Sequence, residues 1–195
     1  CLGWPFKPTL KEDVMPDTNP LLHHWTLPPW SAIRAEHLVP AINTIVAENR
    51  QIIAQVIASQ TEHPNWDDLV VAIDEADARL GEALGVIETL SKVKSADADW
   101  LKESALCSLV AAQYTVDKAA NLALYRVYQR LAKSSVAASF DGQRKASLAK
   151  ILRKFRLSGI ELPPAQQQKL TRLNRDIKSM EQLFRSNLEL ANAAW

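Results

Sequence analysis

The sequence predicts an all-α fold: a helical bundle of about five long helices behind an extended, proline-rich N-terminal arm. Three observations predict it. Apolar residues recur at i, i+3, i+4 and i+7 through most of the 195 residues, the spacing of one helix face. Period-2 runs are missing, as are Asn-Gly or Asp-Gly turns between apolar alternations, and glycine occurs only five times, so hairpins have no signature. Prolines crowd the start, at positions 5, 8, 16, 20, 28 and 29, where they deny a long helix.

Each element follows in order. Residues 1–18 read as a disordered tail or a cloning remnant, and residues 19–195 as one domain. From about Asn19 the arm carries Leu21, Leu22, Trp25, Leu27, Trp30 and Ile33, too much apolar bulk to leave in water, so it is expected to lie on the core. The first long helix spans about 35–60, with Leu38, Ile42, Ile45, Ile52, Ile53, Val56 and Ile57 on one face. Pro40 fits only in its first turn. The second helix starts at Asn65, whose pairing with Asp68 resembles a capping box, and runs to about Lys94. Its stripe of Trp66, Leu69, Ile73, Ala76, Leu80, Leu84, Ile87 and Leu90 predicts shallow-angle packing on a neighbouring helix. The third starts near Asp97–Asp99 and continues to about Ala132. Residues 133–141 read as a loop. A fourth helix covers about 143–157 and stops at Ser158-Gly159. A fifth begins at Pro163-Pro164 and runs to about Trp195, with Leu170, Leu173, Ile177, Met180, Phe184 and Leu188 as its seam.

A chain this long buries roughly 70% of its unfolded surface. No apolar run approaches the roughly 18 residues of a membrane span, and the start lacks the pattern of a signal peptide. The expected location is cytoplasmic. Of the two cysteines, Cys1 is read as part of a cloning or gene-start remnant. Cys107 shares a helical face with Trp100, Val110 and Tyr114 and is expected to be a buried structural thiol. Net charge is +1, but residues 1–142 carry −6 and residues 143–195 carry +7. The basic half lacks interleaved aromatics for base stacking, so basic helices beside acidic ones are expected, with no nucleic-acid or membrane partner. The basic amphipathic stretch Arg144–Arg156, with Leu148, Ile151, Leu152 and Phe155 as its apolar face, is read the same way.

Chemistry-bearing residues are sparse. A catalytic zinc needs three protein ligands on a rigid frame, commonly with His-Glu-x-x-His on a helix. His23, His24, His37 and His63 form no such run. The carboxylates Asp67, Asp68, Asp74, Glu75 and Asp77 read as a helix start and a solvated face, with Glu75 pairing Arg79 one turn on. No phosphate-cradling glycine loop and no Gly-x-Ser-x-Gly elbow occurs. The expectation is therefore no catalytic residue, no metal ligand and no cofactor in this chain.

Three stretches carry a resemblance. The first combines Thr18-Asn19-Pro20-Leu21-Leu22, Leu27-Pro28-Pro29-Trp30 and Ile33-Arg34-Ala35-Glu36-His37-Leu38-Val39-Pro40-Ala41. The second is Trp66-Asp67-Asp68-Leu69 ahead of a long helix. The third and most specific is Leu152-Arg153-Lys154-Phe155-Arg156-Leu157-Ser158-Gly159-Ile160-Glu161-Leu162-Pro163. Together they resemble the N-terminal portion of the thimet oligopeptidase family of zinc metallopeptidases, in its oligopeptidase A-like branch. The likeness covers about residues 18–195, and Arg156 stands where that family has an acidic residue. It implies a mostly helical parent enzyme whose two halves flank a channel that admits short peptides. It also implies that the zinc site lies beyond this segment, so no catalytic or metal position transfers. The segment would form part of the channel wall, inactive by itself, and its partner would be the remainder of the peptidase chain. The other reading is a stand-alone helical interaction module, a truncated paralogue that binds a full-length relative. Phe184, Leu188 and Trp195, on the last helix, are the candidate contact with the rest of the enzyme or with a second copy in a weak homodimer.

Overall fold

A computed structural model describes residues 19–193, and among these every regular element is helical. The order is α1 (Ala35–Ser59), α2 (Ala72–Val93), α3 (Ala98–Ala119), α4 (Leu122–Lys133), α5 (Ser135–Ala138), α6 (Gly142–Leu157) and α7 (Pro164–Ala193). A 3-10 turn, Pro20–Leu22, precedes α1, and a π turn, Asp67–Val71, leads into α2.

α1 is the central helix. Leu38, Ala41, Ile42, Ile45, Val46, Ile53 and Val56 are buried along it, and it packs on both α2 and α3. Its buried polar residue, Asn49, donates to the Ala76 carbonyl at 2.9 Å, so the seam with α2 is pinned by a hydrogen bond as well as by apolar area. Pro40 is the sixth residue of α1 rather than part of its first turn. The helix continues through it because the packing on both flanks outweighs one missing N–H bond.

The arm ends as expected, with two corrections. Leu21 and Ile33 are buried, and Leu22 and Trp25 pack on the core. Leu27 and Trp30 face water, because the two prolines between them turn the chain away. Asn19 holds the arm down: its carboxamide oxygen accepts from the Leu21 N–H, and its Nδ2 donates to the His37 carbonyl at 2.6 Å.

Caps set the other starts. Asn65 accepts from the Asp68 N–H at 2.9 Å, Asp97 from Trp100 at 3.0 Å, and Asp141 from Arg144 at 2.7 Å, each satisfying an orphan donor of the first turn. Trp100, Cys107 and Tyr114 lie seven residues apart and all three are buried. The indole N–H of Trp100 donates to Ser91 at 2.8 Å, tying α3 to the end of α2.

Two expectations need correction. The third helix is not continuous to Ala132: it stops at Ala119, and Asn121 opens α4 by accepting from the Leu124 N–H at 3.0 Å. The stretch 133–141 is not wholly a loop, since Ser134 caps the single turn α5 and Phe140 packs edge-on against Trp66 with centroids 5.4 Å apart. α6 then lies on α4 through Leu148 and Phe155.

The join between α6 and α7 uses the motif around Gly159. Gly159 is left-handed, with φ 84°, which ends α6. Ser158 Oγ donates to the Ala119 carbonyl at 3.0 Å, and Glu161 accepts from the Tyr125 hydroxyl. The same few residues thus cap α3, hold α4 and launch α7. Beyond Leu170, α7 leaves the bundle: Leu173, Ile177, Met180, Leu183, Phe184 and Leu188 are all exposed. The expected packing of Leu173 and Ile177 on the preceding helix does not occur.

Candidate functional site

The largest concentration of unusual side chains lies where α2, α3, α4 and α6 fail to close on one another. A cleft of about 430 Å³ opens there to solvent. Its walls follow from helical spacing. Asp74, Asp77, Leu80 and Leu84 come from one face of α2, Ala111, Tyr114 and Lys118 from α3, and Ile151, Lys154 and Phe155 from α6. Tyr128 of α4 completes it.

Asp77 organises the polar end. Its carboxylate accepts from the Tyr114 hydroxyl at 2.7 Å and pairs with the Lys118 ammonium. Burial, then the bond to Asp77, pushes the Tyr114 phenol above its ordinary range. Burial also raises Tyr128, helped by the charges of Asp74 and Asp77. Both phenols therefore stay neutral donors at physiological pH. Tyr128 is only 3% exposed, yet its hydroxyl makes no hydrogen bond to any described residue.

Sequence reasoning placed the acidic cluster on a solvated face, and for Asp74 and Glu75 it was right. It was incomplete for Asp77. Tyr114 and Lys118 sit one turn apart on α3, and that i,i+4 spacing was the only signal available for a shared partner. Arg79 pairs with Glu48 across to α1 instead of with Glu75.

The histidines do not converge. His23, His24 and His63 are exposed on turns. His37 is a structural residue: its Nδ1 accepts from the Arg34 N–H at 3.1 Å at the start of α1. Burial, and then the Arg34 charge, lowers its pKa. Among the described residues no group of three His, Cys, Asp or Glu side chains is placed to hold a metal ion, and no helix is long and apolar enough to cross a membrane. The residues present do not fit a zinc site. Cys107 is buried, and burial with the nearby Glu103 charge pushes its thiol up to about 11, which disfavours the nucleophilic thiolate. Of the candidate contact residues, Phe184 and Leu188 are exposed on α7; Trp195 lies outside the described residues.

No family model matches the chain. Single relatives do. The chain is 31% identical over 91% of its length to oligopeptidase A of Salmonella typhimurium, 29% to that of Haemophilus influenzae and 28% to that of Escherichia coli. It spans about a quarter of the length of these curated relatives, 26% in each case, and resembles their N-terminal portion. A protein of Arabidopsis thaliana described as a probable cytosolic oligopeptidase A is 22% identical over a similar span.

Proposed function

We propose that this chain is the N-terminal helical part of an oligopeptidase A-like zinc metallopeptidase that degrades short peptides in the cytoplasm. One observation carries the reading: the alignment with oligopeptidase A runs through 91% of this chain at 31% identity. Within that enzyme the segment forms part of the substrate-channel wall and supplies no catalytic group. A rigid helical wall supports that role, because a channel excludes folded proteins only if its sides do not yield. Zinc belongs to the parent, since the four histidines here are spread over separate elements.

The exposed stripe of α7 supports a covalent partner, the remainder of the peptidase. Phe184, Leu188 and Trp195 would bury themselves against it. The same stripe favours the second reading, an interaction module that lends its last helix to a full-length relative.

Three measurements test this. Reading the transcript beyond the Trp195 codon is expected to show an open frame with His-Glu-x-x-His. Protein made from that frame is expected to bind zinc and to cleave a quenched peptide in a chelator-sensitive way, whereas residues 1–195 alone do neither. A substrate peptide with a photo-crosslinker is expected to label residues within 19–193. A stop codon directly after Trp195 overturns the peptidase reading, and labelling confined to the remainder overturns the channel wall.

A further inference from the structure

We propose that the cleft between α2, α3, α4 and α6 binds the amino-terminal end of a short peptide whose first residue has a large apolar side chain. The inference goes beyond the parent's catalysis, because the cleft lies wholly within this chain and holds no residue of a hydrolytic site.

Three features select the ligand. First, Tyr128 has its ring sunk among α4, α6 and α2 contacts and is 3% exposed, yet its hydroxyl has no protein partner among the described residues. A polar group buried that far is normally hydrogen-bonded, so the missing partner is something that enters the cleft. Second, the charges at the rim are divided. Asp77 is already saturated by Tyr114 and Lys118. Asp74 on one wall and Lys154 on the other have no ion-pair partner among the described residues. A free carboxylate facing a free ammonium matches a zwitterion: Asp74 takes the α-ammonium, and Lys154 the carbonyl or terminal carboxylate. Third, the space between them is apolar, walled by Leu80, Leu84, Ile151 and Phe155, which suits one leucine- or phenylalanine-sized side chain. The volume of about 430 Å³ falls in the roughly 300–1,000 Å³ range of small-ligand sites. The Tyr128 hydroxyl, as a neutral donor, is placed to give its proton to the first peptide carbonyl.

A dipeptide has few atoms, so the affinity should be modest, on the order of 0.1–1 mM. The test is a titration of the isotope-labelled 195-residue chain with Phe-Gly, followed by two-dimensional amide NMR. Saturable shifts are expected around Asp74, Leu84, Tyr128 and Ile151. N-acetyl-Phe-Gly and the Asp74→Asn variant should each weaken binding roughly tenfold or more, because each removes one half of a charge-assisted bond. Gly-Gly should not saturate. Tyr128→Phe should weaken Phe-Gly several-fold while melting at or above the wild-type temperature, since the deleted hydroxyl has no partner in the free protein. No saturable shift up to ~10 mM Phe-Gly overturns the proposal. So does equal binding of the acetylated peptide, or a Tyr128→Phe variant that folds and binds like wild type.

Discussion

Leu170 closes over Gly159: its Cδ2 stands 2.6 Å from where a Cβ on that glycine would be. Two constraints meet at this residue. The backbone is left-handed, φ 84°, which costs an L side chain about 1–2 kcal/mol. The first turns of α7 also press on the space a side chain would need. Gly159→Ala is therefore expected to destabilise the chain by about 1–2 kcal/mol, lowering Tm by roughly 2–4 °C per kcal/mol at this size. Combining it with Leu170→Ala removes the steric conflict and leaves the backbone strain. Thermal melts of the single and double variants check this. A Gly159→Ala protein that melts with wild type would sink the argument.

Cys107 is fully buried on α3 and its thiol is pushed up to about 11. In a Cys1→Ser background, so that one thiol remains, a chromogenic disulfide reagent should find no reactive group at pH 8 until denaturant is added. The rate of modification should then track global unfolding. Fast labelling of the native protein would show that the α1–α3 seam opens locally.

Tyr114, Tyr125 and Tyr128 all have phenol pKa values raised by burial above the ordinary 10.0. In the unfolded chain these phenols ionise near 10; in the folded chain they ionise later. The folded state thus holds protons that the unfolded state has released. Stability is full below pH 10 and is lost as pH rises through the folded values. Melting temperature should be level from pH 7 to about 9.5 and fall steeply beyond it. Tyr114→Phe should lower stability at pH 7 by about 1 kcal/mol, through loss of the bond to Asp77, and flatten the alkaline fall. An alkaline slope unchanged by that substitution would show that Tyr114 does not contribute to it.

How far the sequence reveals this fold depends on the range of each interaction. Leu69, Ile73, Leu80, Ile87 and Leu90 of α2 are buried as their period demands, because amphipathicity is set within one helix. The capping roles of Asn65 and Asp97 are legible for the same reason. The break at Ala119–Asn121 is not. Its neighbours favour helix on both sides, and the stop is reinforced by Ser158, 39 residues away, donating to the Ala119 carbonyl. Likewise Asp77 finds Tyr114 and Lys118 at separations of 37 and 41 residues, and Arg79 chooses Glu48 over the nearby Glu75. Periodicity shows which face is buried but not which face meets which. The cleft exists only through that second relation.

The last prediction concerns α7. Leu173, Ile177, Met180 and Phe184 repeat at intervals of four, three and four, with Leu188 one turn further, and every one of them is at least 48% exposed. That spacing keeps the apolar groups on one seam, the pattern by which two helices pack at a shallow angle. No described element covers it. A 30-residue helix is about 45 Å long, so a bare seam of this extent exceeds the patches of a few hundred Å² that monomers usually expose. In the 195-residue chain the available cover is a second copy, whose seam offers the same spacing. The expected species is a weak, reversible dimer through α7, with Phe184 and Leu188 at the contact and Trp195 at its margin. Sedimentation velocity from low to high micromolar concentration should show the average mass rising towards the dimer. Phe184→Ser with Leu188→Ser should return it to monomer, while far-UV circular dichroism keeps the helical signal of the bundle. Joining the chain to the remainder of an oligopeptidase A-like enzyme should abolish dimer formation, because the seam is then covered from within. A clean monomer at high concentration, unchanged by the double substitution, would mean that the end of α7 frays in solution and presents no ordered seam.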